Sequence, residues 1–232
     1  MKIMSFNTQH CLHHITQEID FESMANVITD CGADVVGLNE MRGLGADLHF
    51  ADQVKILAEL TGMPYYFFAP AIYVGNRGPY GNGLLSKYPI LEAQNILIPD
   101  PVEKKYPREY ETRSIVKAEL EGGIRVLVSH FGLNPDEKEN AVNTVLEHVR
   151  DTKCILMGDF NLDPHEPLLN PIRQKMVDAA WKFCEEKCSY PSDAPNRKID
   201  YIFVSPDVKV LGADIPAVVV SDHRPHTAVI EL

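Results

Sequence analysis

Asn7, Glu40, His130, Asp159, Asn161, Asp200, Asp222 and His223 each stand at or near the end of a run of strand-forming residues. Carboxylate and amide oxygens suit a hard divalent ion such as magnesium, and imidazoles exchange protons near neutral pH. A strand that ends in such a residue delivers it to the rim of a sheet, where α/β proteins place their chemistry. The set is therefore expected to form one metal site suited to cleaving a phosphate ester.

Each residue also has a plainer reading. Glu40 lies two residues past the strand ending at Leu38, where a carboxylate can hold a cation or simply face solvent, and Asn7 can ligate or merely end a strand. In Gly158-Asp-Phe-Asn161, the two-residue period of extended chain puts Asp159 and Asn161 on one side and Phe160 on the other. A carboxylate and an amide placed so can orient a water and hold a phosphate oxygen, or form an ordinary Asx turn. His130 and His223 end separate segments and are candidates for proton transfer. Asp200 can fix the tautomer of His223, or pair with Lys198 or Arg197.

The elements that must position these groups follow from periodicity. Lys2–Phe6 and Asp34–Leu38 read as strands; Phe21, Met24, Val27 and Ile28 mark a helix opened by Asp20 and closed by Gly32; Val54, Leu57, Ala58 and Leu60 mark a second, stopped at Gly62. From Tyr65 to His130 the pattern is all strand: 65–68, 83–86, 90–98, 114–120 and 124–128. A helix begins at Pro135, Cys154–Met157 returns to strand, and the last third reads as loops and short strands. Strand–helix units at both ends with antiparallel runs between them predict a four-layer α/β sandwich, two packed mixed sheets with helices outside. No repeat or composition break divides the chain, so residues 1–232 are expected to be a single domain.

Composition narrows the partners. The chain has 33 acidic and 22 basic residues, a net charge of −11, so no overall field draws in a polyanion; nucleic acid is permitted but not favoured. Five cysteines without a C-x-x-C pair suit free thiols, and the N-terminus enters a strand without a signal-peptide pattern, which predicts a cytoplasmic protein. No apolar run is long enough to span a membrane. Oligomeric state is left open.

Met4-Ser-Phe-Asn7, Gly37-Leu-Asn-Glu40, Gly83-Leu-Leu-Ser-Lys-Tyr-Pro89, Gly158-Asp-Phe-Asn161, Ile199-Asp-Tyr-Ile-Phe203 and Ser221-Asp-His-Arg-Pro225 resemble, in residue and in order, the motifs of the endonuclease/exonuclease/phosphatase superfamily. The resemblance covers essentially the whole chain and implies the deoxyribonuclease-I-like fold and a hydrolase of phosphate esters. It implies Mg2+, or Mn2+, held by Asn7 and Glu40 with Asp222 close by. His223 would pair with Asp200, Asp159 and Asn161 would surround the attacking water and the phosphate, His130 would donate to a phosphoryl oxygen or the leaving group, and Arg113 would support the site. Whether Asp159 or His223 takes the water's proton stays open.

The resemblance also discriminates among branches. His130 resembles the deoxyribonuclease, phosphodiesterase and phosphatase branches rather than the apurinic endonucleases, and Met157 and Ser221-Asp222 depart from the inositol polyphosphate phosphatase signatures. Near Tyr80-Gly-Asn82-Gly83 only Asn82 stands where the deoxyribonuclease I type has an acidic partner for its central histidine. The segments 71–83, with Tyr73, Asn76, Arg77 and Tyr80, and 100–113, with Lys104, Lys105, Tyr106, Arg108 and Tyr110, mix aromatics with cations and are candidate substrate loops. Arg113, Asn82, Arg77 and Tyr80 are the substrate-binding candidates. The expected activity is a phosphodiesterase acting by in-line attack of water; a DNA or RNA nuclease and a catalytically silent phosphate-binding module are the alternatives. The His10-Cys11-x-His13-His14 cluster fits no zinc spacing and is expected to be a loop near the metal.

Overall fold

The computed structural model describes residues 1–232, apart from the side chain of Leu48. In chain order the strands are β1 (Lys2–Asn7), β2 (Val35–Arg42), β3 (Tyr65–Val74), β4 (Gly78–Ser86), β5 (Ile90–Leu97), β6 (Ser114–Leu120), β7 (Ile124–His130), β8 (Cys154–Asp159), β9 (Val177–Asp178), β10 (Asp200–Val204), β11 (Lys209–Asp214) and β12 (His226–Glu231). The helices are α1 (Phe21–Asp30), α2 (Gln53–Thr61), α3 (Pro135–His148) and α4 (Asn170–Lys175).

Local chemistry sets the helix ends. The side chains of Asp20 and Asp52 accept from the backbone N–H of Ser23 and Lys55, capping α1 and α2, while Asn134 and Glu137 form a reciprocal capping box at α3. Gly32 and Gly62 follow the first two helices with φ of 64° and 67°, a left-handed turn that costs glycine little.

Two six-stranded mixed sheets result, ordered β11-β12-β1-β2-β4-β3 and β5-β6-β7-β8-β10-β9. Each holds one parallel pair, β1 with β2 and β7 with β8, joined through α1 and α3. Strand alternation sends Ile3, Val35, Val126, Val128, Ile155 and Ile202 into the layer between the sheets. Their neighbours Met4, Phe6, Val36 and Leu38 pack outward with Met24, Ile28, Val54 and Leu57 of α1 and α2. On the other side Leu127, Leu156, Tyr201 and Phe203 pack with Val142 and Val145 of α3 and Ile172 of α4. The expected four-layer α/β sandwich is what forms. Gly37 lets the sheets approach at the site end, since a Cβ there would stand 2.9 Å from Met157 and Val128.

Three details differ from the sequence reading. Glu40 lies inside β2, at an irregularity in its pairing with β4 between Leu38 and Met41, rather than beyond the strand. The stretch 71–83 is the end of β3 and the start of β4, with Tyr73 opposite Pro79, because pairing supplies the backbone partners that a glycine- and proline-rich composition conceals. The last third contains the short helix α4 as well as strands.

Candidate active site

Register alone brings three of the residues into one row. In the parallel β7–β8 pair His130 stands opposite Asp159, and in the antiparallel β8–β10 pair Asp159 stands opposite Asp200. Asn7 ends β1 in the facing sheet, and its side-chain amide donates to Oδ2 of Asp159 at 3.1 Å and to Oε1 of Glu40 at 3.1 Å. His223 comes from the loop between β11 and β12, which Ser221 ties to β1 by donating from Oγ to the Asn7 carbonyl at 2.7 Å.

Backbone conformations at this rim are unusual. Glu40 and Asn161 have φ of 63° and 52°, left-handed values uncommon for such residues, and the run 9–11 shares them. Gly158, at φ 146°, is required by close approach: a Cβ would fall 1.7 Å from the Ser129 carbonyl oxygen. The kink in β2 aims Glu40 at the cavity, and the turn after Phe160 folds Asn161 back onto His130.

Oδ2 of Asp159 is the centre of the arrangement. Besides Asn7 it has Nε2 of His130 at 3.5 Å and Nε2 of His223 at 3.6 Å. His223 holds Oδ2 of Asp200 at 2.8 Å through Nδ1, and both groups are buried. Burial opposes the charged His223 ring, but the carboxylates of Asp200, Asp159 and Asp222 outweigh it and raise its pKa to about 10. Burial raises the pKa of Asp159 too, with the His223 charge working against it.

His130 is set the other way. Nη1 of Arg113 lies 3.0 Å from its Nδ1; a guanidinium only donates, so Nδ1 accepts and the neutral ring carries its proton on Nε2, which faces Asp159 at 3.5 Å, while the Asn161 amide, 3.2 Å from Nε2, donates to the Phe131 carbonyl instead. Burial first, then the Arg113 charge, press the His130 pKa well below the usual imidazole value. Arg113 also contacts Oε1 of Glu111 at 2.8 Å. With Asn82 where the resemblance implied an acidic partner, His130 is partnered by Arg113 instead.

Asn39, which the sequence reading did not single out, supports Asp159 from the facing sheet. Its Oδ1 accepts from the Asp159 N–H at 2.9 Å, and its amide donates to Asn82 at 2.8 Å and to the Ser129 carbonyl at 3.1 Å. Asn82 continues this buried seam by donating to the Ser114 carbonyl at 2.7 Å. Its position inside Gly37-Leu-Asn-Glu40, beside a candidate ligand, was the available signal.

A cavity of about 290 Å³ opens over this rim, lined by Glu40, Arg113, His130, Asp159, Asn161, Asp222 and His223, with Arg108, Leu133, Tyr190, Arg197 and Ile199 completing the wall. Asn7 and Asp200 lie behind it. Two substrate candidates sit elsewhere: Asn82 is committed to the seam, and Arg77 is paired with Asp47 at 2.9 Å and lies over the Phe50 ring. Tyr80 packs behind the cavity wall against Arg113, its hydroxyl pKa raised by burial and by Glu40. Neither cation weighed as a partner for the Asp200 carboxylate takes it, since Arg197 pairs with Asp163 at 2.8 Å and Lys198 donates to the Asp200 backbone carbonyl.

The donor chemistry fits a hard divalent ion at Asn7, Glu40 and Asp222. Burial raises the Asp222 carboxyl, and Glu40 adds repulsion across the same cavity, which a cation would offset. Burial pushes Glu40 up as well, yet His10, His130 and Asn7 together hold it well below the ordinary carboxylate range. Asp159, Asp200 and His223 also converge, with ligand atoms within 4.8 Å of one another. Both ring nitrogens of His223 face carboxylates there, so that trio is a chain of ion pairs with no imidazole lone pair to give a metal. His10, with Nδ1 3.8 Å from Glu40, places the histidine-rich loop beside the same corner.

A family model described as the Endonuclease/Exonuclease/phosphatase family matches residues 4–223. The chain belongs to that family. Its members are hydrolases of phosphate esters, and they generally depend on divalent metal ions. Among solved structures, the chain is similar to an endonuclease/exonuclease/phosphatase from Beutenbergia cavernae DSM 12333, with 22% identity and TM-score 0.78, covering 100% of this chain and 71% of that one. It is also similar to a mannosyl-6-phosphatase from Bacteroides thetaiotaomicron VPI-5482, with 17% identity and TM-score 0.77 over 100% of both chains. The human Nocturnin catalytic domain aligns at 17% identity and TM-score 0.69, over 100% of this chain and 94% of that one. No curated protein matched the sequence. Among the described residues no helix is long and apolar enough to cross a membrane.

Proposed function

We propose that residues 1–232 act as one catalytic domain, a metal-dependent phosphodiesterase in which water attacks phosphorus in line. The observation that carries this reading is the single carboxylate oxygen, Oδ2 of Asp159, surrounded by Asn7, His130 and His223 from both sheets at one cavity. Asn7, Glu40 and Asp222 would hold Mg2+ or Mn2+, which supplies charge stabilisation at the phosphoryl oxygens.

The protein's own groups divide the remaining work. Asp159 accepts the water's proton, because both nitrogens of His223 face carboxylates and carry protons while Asp159 lines the cavity with a carboxylate whose proton affinity burial raises. Asp200 anchors His223, whose positive charge stabilises the phosphorane-like transition state. His130 donates from Nε2 to a phosphoryl oxygen or the departing oxygen, and Asn161 and Arg113 bind and position. Water adds to phosphorus, one ester oxygen leaves as an alcohol, and a phosphomonoester remains. A second cavity beside the first gives room for the other ester substituent, which supports a diester.

Release of p-nitrophenolate from bis-p-nitrophenyl phosphate with Mg2+ or Mn2+ tests the reading. Asp159→Ala and His223→Ala should each lose on the order of a hundredfold or more in rate, the scale of general acid–base and oxyanion contributions. Full activity in either variant contradicts it.

A further inference from the structure

Next to the catalytic cavity lies another of about 320 Å³, lined by Tyr106, Pro107, Arg108, Leu133, Asn134, Pro135, Lys138, Asn161 and Arg197. The two share Arg108, Leu133, Asn161 and Arg197, so they form one continuous cleft. In a chain of net charge −11, this second chamber is lined by three cations and no carboxylate.

Those cations are arranged for a ligand. Arg197 is fixed by a two-pronged bond to Asp163, Nε to Oδ1 at 3.1 Å and Nη2 to Oδ2 at 2.8 Å, which leaves its Nη1 uncommitted. Neither Arg108 nor Lys138 has a carboxylate oxygen within 4.0 Å among the described residues. The wall that carries Arg108 is tied down: Asn134 donates to the Arg108 carbonyl at 3.2 Å, and Tyr110 accepts from the Tyr106 N–H at 3.0 Å while donating to Asp136 at 2.8 Å. Lys138 is half-buried on α3; burial lowers its pKa, Glu166 works against that, and Arg197 and Arg108 lower it further. Arg197 is neutralised by Asp163, but Arg108 and Lys138 are not paired, and these two charges focus a positive potential where the chamber meets the catalytic cavity.

We propose that the substrate carries a second phosphate beside the scissile one, and that Arg108, Lys138 and Arg197 bind it. This deepens the phosphodiesterase reading and rests on it for the identity of the scissile group. A phosphate offers oxygens for charge-assisted bonds to both guanidinium and ammonium. The half-exposed Tyr106 ring at the chamber's edge offers a face to the unit joining the two phosphates. The substrate class is a phosphodiester whose retained substituent is a small sugar or polyol carrying the second phosphate, so that the product left after cleavage is a bisphosphate.

Titration calorimetry on the full chain, with chelator present to prevent turnover, compares adenosine 3′,5′-bisphosphate with adenosine 5′-monophosphate, and fructose 1,6-bisphosphate with fructose 6-phosphate. At least one bisphosphate should bind about tenfold or more tightly than its monophosphate, the scale of one or two charge-assisted bonds. Lys138→Glu should abolish that preference and Lys138→Arg should keep it, with Arg108→Gln as a second variant should Lys138→Glu melt early. Equal affinities in both pairs, or a preference untouched by Lys138→Glu and Arg108→Gln, overturn the proposal. Turnover of bis-p-nitrophenyl phosphate is read separately. Its absence beside an intact bisphosphate preference would remove the catalytic reading and leave the binding site.

Discussion

Asp200→Asn is the perturbation that isolates the His223 anchor. The 2.8 Å bond between Nδ1 and Oδ2 joins two buried groups, and the Asp200 carboxylate is the main attraction that keeps the ring charged. Asparagine keeps the shape and can still accept from Nδ1, but the charge is gone, and Asp159 at 3.6 Å is left to hold the ring. Breaking a buried pair from one side costs about 3–5 kcal/mol, and the retained hydrogen bond puts this variant near the lower end. A misoriented or wrongly protonated imidazole should lower kcat by about 10³–10⁴, as in other histidine–carboxylate dyads. The assay is metal-dependent phosphoester turnover with folding followed by circular dichroism, completed by a cycle with His223→Ala. If the two residues act as one unit, the double variant should be little worse than either single one. Asp200→Asn within tenfold of wild type, or rate losses that multiply in the double variant, would refute the reasoning.

Asn39→Ala leaves the Asp159 N–H and the Asn82 side-chain oxygen without partners inside the protein, so urea denaturation should show a loss of about 2–6 kcal/mol, the cost of two unsatisfied buried groups. Glu40→Gly relieves a left-handed φ of 63° and the repulsion with Asp222. It also removes the Asn7 hydrogen bond and the His10 contact that hold the carboxylate charged, so the metal-free melting temperature should not rise, while the rise on adding Mg2+ and the activity should be lost. His226 is buried and neutral, its pKa pressed well below the usual value by burial and then by Lys198. The unfolded chain binds that proton first, so stability is full above the unfolded pKa of about 6.5 and falls on acidification below it, at up to ~1.4 kcal/mol per pH unit. Urea midpoints measured between pH 7 and pH 5 should fall less steeply in His226→Gln than in wild type.

Much of the architecture was legible in the chain because period and caps are local properties. Asp20 and Gly32 mark α1, Gly62 marks the end of α2, and Pro135 with Glu137 marks α3, each through contacts within a few residues. The alternation of Ile3 with Met4 and of Val35 with Val36 announced strands buried on both faces. The residue types and their order also carried the family. Less legible were places where partners are remote: β3 and β4 run through 71–83 because pairing across the sheet overrides a loop-like composition.

Only the tertiary structure decided who touches whom. Asn7 and Asp159 stand 152 positions apart and meet because two sheets pack face to face, with Gly37 making room for Met157 and Val128 of the facing sheet. The same packing took Asn82 into the inter-sheet seam, sent Arg77 to Asp47, and gave His130 an arginine where its family resemblance suggested a carboxylate. Local sequence fixes which groups a strand delivers and to which face, because backbone geometry repeats every two residues. Register, sheet packing and the charge felt by each group depend on the whole chain, and those settle which of the delivered groups share a cavity.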